Sequence, residues 1–150
     1  MDLILWRCAE AEAGASDLDR RLTAKGRRQA VNVAAWLNQR LPARITLLVS
    51  PAMRAQETAL ALGIPLKPEK ALAPGASVEQ ILKVAGWPAH KSTVVLVGHQ
   101  PDLGRVIAVL LSEGRGRWAV KKGGLWWLTD RVRNEEAQVV VRSVVTPDLM

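Results

Sequence analysis

Apolar residues change their spacing along the chain, and the changes mark out its elements. Asp2–Trp6 is a short run rich in Leu and Ile, ended at once by Arg7 and a small, acidic stretch, which fits a buried strand better than a helix. Ala30, Val33, Ala34, Leu37 and Leu41 then recur at helical spacing. They predict a helix that Thr23 caps, running to about Leu41, with Pro42 closing the segment. Ile45–Val49 reads as a second strand broken by Ser50-Pro51, and Met53–Leu62 as a helix ended by Gly63. Pro65–Gly75, with three prolines, reads as an extended connection, and Ser77–Ala85 as a short helix. Thr93–Val97 is the cleanest strand, followed by Gly98-His99-Gln100-Pro101 and a helix over Asp102–Leu111. Gly124–Thr129 and Gln138–Val145 read as a hairpin that turns through the polar segment Arg131–Glu136. Trp126 and Trp127 would straddle one of its strands, one ring in the core and the other exposed.

Strands alternating with helices predict an α/β fold: a three-layer sandwich with a largely parallel central sheet, helices on both faces, and an antiparallel pair toward the C-terminus. With 150 residues and no internal repeat or linker, residues 1–150 read as one domain. A charged fraction of 23% beside 49% hydrophobic residues is ordinary globular usage. Phe and Tyr are absent, so the core has to be built from aliphatic residues and a few of the six tryptophans. One cysteine cannot form an internal disulfide, no signal peptide opens the chain, and no apolar run approaches the roughly 20 residues of a membrane span. These features predict a soluble, cytoplasmic protein with no membrane partner.

The net charge of +7 is compatible with nucleic acid, a phosphorylated ligand or a solvated basic face. The basic residues are scattered through Arg20–Arg28, Arg115–Lys122 and Arg131–Arg142 without regularly interleaved aromatic rings, which argues against a nucleic-acid partner.

Candidate chemistry lies where parallel strands end, because ligands in such sheets bind beyond the carboxyl ends of the strands. Arg7-Cys8 follows the first strand, Ser50-Pro51-Ala52-Met53-Arg54 the second, and Gly98-His99 the strand at Thr93–Val97. A single arginine after a strand is usually a solvated surface residue. Two arginines and a histidine converging on one pocket are what a dianionic phosphoryl group requires.

The same segments resemble the histidine phosphatase superfamily. LILWRCAEAE resembles its opening Arg-His-Gly/Ala motif, SPAMRAQETA its Ser-Pro-x-x-Arg-Ala-x-x-Thr-Ala segment, and LVGHQPDLG the segment of its second histidine. DRRLTAKGRRQA is similar to the Arg-x-Leu-Thr-x-x-Gly stretch of the short, SixA-like phosphohistidine phosphatases. The resemblance implies a phosphoglycerate mutase-like fold that removes a phosphoryl group from protein histidine or a small phosphorylated compound, without metal or other cofactor. It implies that Arg7, Arg54 and Arg20 bind the phosphoryl oxygens and that His99 donates to one of them. A metal site is also disfavoured by composition: two histidines and one cysteine, without His-x-x-x-His or Cys-x-x-Cys spacing.

The departure falls on the nucleophile, for Cys8 stands where the family carries its first histidine. The flanking arginine and a nearby helix N-terminus favour a thiolate. The Cys-x5-Arg loop of cysteine phosphatases is absent, since Gly14 occupies the sixth position after Cys8. Cys8 therefore reads as a natural change giving a non-catalytic phosphate- or phosphoprotein-binding relative, as an introduced replacement in an active phosphatase, or, ranked last, as a working thiol nucleophile. Glu10 is a candidate general acid, with Glu12 beside it. Ser50 and Thr58 read as capping residues, Gly98 as a tight turn, and His90 as a surface residue.

Overall fold

The computed structural model describes residues 1–150. Its centre is a six-stranded sheet in the order β3-β2-β4-β1-β5-β6. The strands are β1 (Asp2–Arg7), β2 (Ile45–Val49), β3 (Lys67–Pro68), β4 (Thr93–Gly98), β5 (Leu125–Arg133) and β6 (Glu136–Val145). The helices are α1 (Ala24–Asn38), α2 (Met53–Leu60), α3 (Val78–Ala85) and α4 (Asp102–Ser112). β3, β2, β4 and β1 run parallel, and β5 joins β1 antiparallel. This is the expected three-layer α/β sandwich.

β1 is a continuous apolar run because both of its faces are covered. Ile4 and Trp6 point with Leu47, Val49, Val95 and Val97 into the layer under α1 and α2. Leu3 and Leu5 point the other way, with Leu48, Val94 and Leu96, against α3 and α4. The period of two along each strand thus feeds two cores at once. No helix is long and apolar enough to cross a membrane.

Helix starts follow their side chains. Thr23 caps α1 by accepting from Gly26 N, and Ser77 with Gln80 forms a reciprocal capping box on α3. Gly26 carries a second constraint, because a Cβ there would collide with the Glu10 carbonyl. The first turn of α1 therefore lies directly on the loop that leaves β1, which brings Arg7 and Cys8 close to the helix.

Several boundaries differ from expectation, among them α2, which ends at Leu60 rather than Leu62. α1 ends at Asn38, and Leu41 reaches the core from the following turn, its N–H donating to Leu37 O. The proline-rich segment is not wholly extended, since it contains β3 and a 3-10 turn at Lys70–Leu72 whose Leu72 is buried. The hairpin has no long polar turn: β5 and β6 pair as far as Arg133 and Glu136 around the two residues Asn134 and Glu135, both at positive φ. Two such residues match the right-handed twist of the arms, so the polar stretch continues as strand. Trp127 is buried and meets Trp36 edge-on at 6.3 Å, while Trp126 is half-buried against Trp118 rather than fully exposed.

Candidate active site

Strands β1 and β4 lie side by side, so their carboxyl ends deliver Arg7, Cys8 and His99 to one place. Cys8 N–H donates to Gly98 O at 3.0 Å, and Gly123 N–H donates to Cys8 O at 3.1 Å. Both hydrogen bonds fix the direction of the residue-8 side chain. α2 begins beside this point and supplies Arg54 from its first turn. Arg7, Cys8, Arg20, Arg54 and His99 all line one cavity of about 430 Å3.

Arg54 is the centre of the cluster and is only 8% exposed. Its Nη2 lies 3.3 Å from His99 Nδ1, and its Nη1 donates to Asp17 O at 2.8 Å. Cys8 Sγ lies 3.6 Å from the same Nδ1. A guanidinium only donates, so the nitrogen facing it is assigned the lone pair, and Nε2–H donates to Ser50 Oγ at 2.7 Å. Ser50 Oγ also accepts from Ala52 N–H. Ser50 thus orients the imidazole besides ending its strand. Thr58 accepts from Ala9 N–H and donates to Arg54 O, tying the loop after β1 to α2.

The electrostatics of Cys8 differ from the thiolate expected of a cysteine among cations. Burial pushes the thiol up to about 12, and the charges of Arg54, Arg7 and Arg20 only partly offset it. The thiol stays protonated and donates to Gly98 O at 3.0 Å. Desolvation outweighs the arginines because Sγ faces a carbonyl and a neutral ring, whereas the nearest guanidinium is engaged elsewhere.

Burial lowers His99 to about 4, helped by the positive charge of Arg54 and opposed by Asp17. The unfolded chain protonates near the ordinary 6.5 and the folded one not until about 4, so the unfolded state binds more protons in between. Stability is expected to fall by up to about 3 kcal/mol as pH drops across that window. Urea midpoints at pH 7 and pH 4.5 measure the loss. His99→Gln should lose clearly less than the parent, and an equal loss would assign the effect to other groups.

Asp17 is one of the cavity residues that sequence reasoning missed. It opens the 3-10 turn Asp17–Asp19 before Arg20, and one carboxylate oxygen faces Arg54 Nη2 at 3.3 Å while the other accepts from Arg20 Nε at 3.1 Å. Although burial opposes ionisation, the charges of Arg54 and Arg20 hold this carboxyl below its ordinary range. Its spacing of three residues from Arg20 was the available signal. Asp102 and Arg105 also line the cavity from the start of α4, and Lys122 does so from the loop after Trp118. Asp102 could be inferred from its place as the first helical residue beyond His99, but Lys122 had no local pattern to reveal it.

Arg7, Arg20, Arg54, His99 and Cys8 are therefore brought together, but Glu10 is not. Glu10 lies outside this cavity and its carboxylate accepts from Thr23 Oγ1 at 2.8 Å. The chain turns away at Ala9 to meet α1, which carries the Glu10 side chain toward the helix cap. Nor does any cluster of three His, Cys, Asp or Glu suit a metal ion.

The profile of the histidine phosphatase superfamily (branch 1) matches residues 3–74. An uncharacterised protein of Mycobacterium tuberculosis (strain ATCC 25618 / H37Rv) is 36% identical over 104 residues, covering 66% of this chain and 64% of that relative. One from Mycobacterium leprae (strain TN) is 30% identical over 109 residues, covering 71% and 68%. Over nearly the whole chain the fold is similar to a protein from Nakamurella multipartitia provisionally named phosphohistidine phosphatase SixA, with a TM-score of 0.78, 28% identity and coverage of 97% and 95%. A protein histidine phosphatase SixA complexed with tungstate has a TM-score of 0.80 at 22% identity, covering 99% of both chains. The family profile spans two of the cavity's three strand-end segments, and the whole-chain likeness to the short SixA-type structures includes the third, at His99. The chain belongs to the histidine phosphatase superfamily.

Proposed function

We propose that this chain carries the phosphoryl-binding site of a phosphohistidine phosphatase, acting on phosphohistidine in a protein or on a small phosphorylated compound. The observation that supports this most strongly is the meeting of Arg54, His99 and residue 8 within hydrogen-bonding reach around one cationic cavity. Arg7, Arg20 and Arg54 supply fixed positive charge for the equatorial oxygens of the transferring group. His99 contributes a hydrogen bond once its Nδ1 carries a proton, which an incoming dianion favours by opposing the effect of Arg54.

In the family's chemistry an imidazole at residue 8 attacks phosphorus, the substrate's P–N bond breaks, and the departing nitrogen takes up a proton. Water then attacks the phosphoenzyme and phosphate leaves. No metal or cofactor enters these steps. A phosphoramidate nitrogen is basic and needs little help from a carboxylic acid, so the displacement of Glu10 from the cavity is compatible with that substrate.

A second reading, a non-catalytic binder of phosphate or phosphoprotein, is favoured by the neutral, buried thiol at the nucleophile's position. Both readings require oxyanion binding. Tungstate is expected to raise the thermal midpoint of the chain in a concentration-dependent way, with inorganic phosphate competing. A midpoint that neither anion moves would overturn both.

A further inference from the structure

A second, larger groove of about 680 Å3 adjoins the phosphoryl cavity, and Arg7 and Lys122 line both. Its walls come from two basic clusters far apart in sequence. Lys25 and Arg28 project from the first turns of α1, and Lys121 and Lys122 from the loop opposite. Lys25, Arg28 and Lys122 have no carboxylate within 4.0 Å, whereas Lys121 is paired with Asp148. Of the groove's two carboxylates, Glu10 is held by Thr23 and Asp148 by Lys121. Positive charge is therefore left over on the floor and both sides.

The loop that forms the far wall is held in place. Arg7 Nη1 donates to Val120 O at 2.7 Å, Trp6 Nε1 to Gly123 O at 2.8 Å, and Gln100 Nε2 to Trp118 O at 2.8 Å. The cations thus stand on a built surface. No aromatic side chain lines the groove, so nucleic-acid bases would find nothing to stack on.

We propose that this groove binds an acidic peptide segment flanking the phosphorylated residue of a protein substrate or partner. The inference rests on the phosphoryl-site reading and extends it. Arg7 would join the two subsites, one guanidinium bordering both, so that a phosphoryl group in the cavity places neighbouring Asp or Glu side chains beside Lys25, Arg28 and Lys122. A groove of this size exceeds what one small anion fills, which favours a peptide over a second free phosphate.

The test uses three labelled peptides carrying a phosphoryltriazole, a stable mimic of phosphohistidine, flanked by Glu, Ala or Lys. At low ionic strength the parent chain is expected to bind the Glu-flanked peptide at least about tenfold more tightly than the Ala-flanked one, with the Lys-flanked one weakest. Lys25→Gln/Arg28→Gln should bring the Glu and Ala peptides to within about twofold, while tungstate affinity shifts by less than about threefold. Equal binding of the three peptides with tungstate still competing would overturn the acidic-flank proposal and leave the phosphoryl site standing. A Glu preference that survives in the double variant, or inorganic pyrophosphate competing far better than the Glu peptide, would also overturn it. Failure of every peptide and of tungstate would remove the phosphoryl-site reading and the groove's role together.

Discussion

Cys8→His is expected to turn over phosphoramidate and to accumulate a covalent phosphoenzyme on residue 8, at a rate roughly 10^4-fold or more above the parent chain. The backbone on both sides of residue 8 is pinned by Gly98 O and Gly123 N–H, so a new side chain keeps its aim into the cavity. What changes is chemistry. With a thiol near 12, on the order of one molecule in 10^5 carries a thiolate at pH 7. A neutral imidazole is the dominant form of an ordinary histidine at that pH and attacks through a lone pair without first losing a proton. Phosphate release and an acid-labile phosphoryl label measured on parent and variant decide the matter. Label and turnover in the variant alone identify a catalytic scaffold whose nucleophile has been replaced. Tungstate binding without either would establish the binding-only reading, and comparable turnover in the parent would show the thiol to be competent after all.

Arg54→Ala is expected to weaken tungstate and phosphate binding by about 100-fold or more, the largest loss of any single cation in the cavity. Arg54 is the most buried of the cavity's arginines and the one in reach of His99, so its removal takes away a desolvated charge and a fork of donors together. Arg54→Lys should recover only a small part, because an ammonium cannot reproduce the paired geometry. Arg20→Ala should cost less, since that side chain is 28% exposed and solvent weakens its pull on an anion. Titration calorimetry with tungstate, beside urea unfolding of each variant, separates binding from stability. An Arg54→Ala chain that folds and binds as the parent does would end the assignment of this residue to the phosphoryl group.

The main elements were legible because their patterns are local. The apolar runs of β1, β2 and β4 and the helical spacing from Ala30 to Leu37 each announce a period within a few residues. Thr23 and Ser77 marked helix starts for the same reason. The convergence of Arg7, Arg20, Arg54 and His99 on one cavity was legible where the resemblance reached. What escaped was set by tertiary balance. The Cys8 thiol depends on burial outweighing nearby charge, Asp17 on a 3-10 turn folding over α2, and Glu10 on the way the loop turns toward α1. The reach of β5 and β6 escaped because a two-residue turn leaves polar side chains on strands with little beneath them.

Asp17 has one further consequence. Its carboxylate is attached to the protein and bridges the two guanidinium groups, so any anion that approaches them must compete with it. An incoming acetate or chloride offers no more charge than the group it must displace and gains little by entering. A phosphoryl dianion brings twice the charge and more acceptor atoms, and so has a margin that the monoanions lack. If the cavity takes a phosphoryl group as proposed, a dianion would displace this tethered carboxylate more readily than a monoanion would.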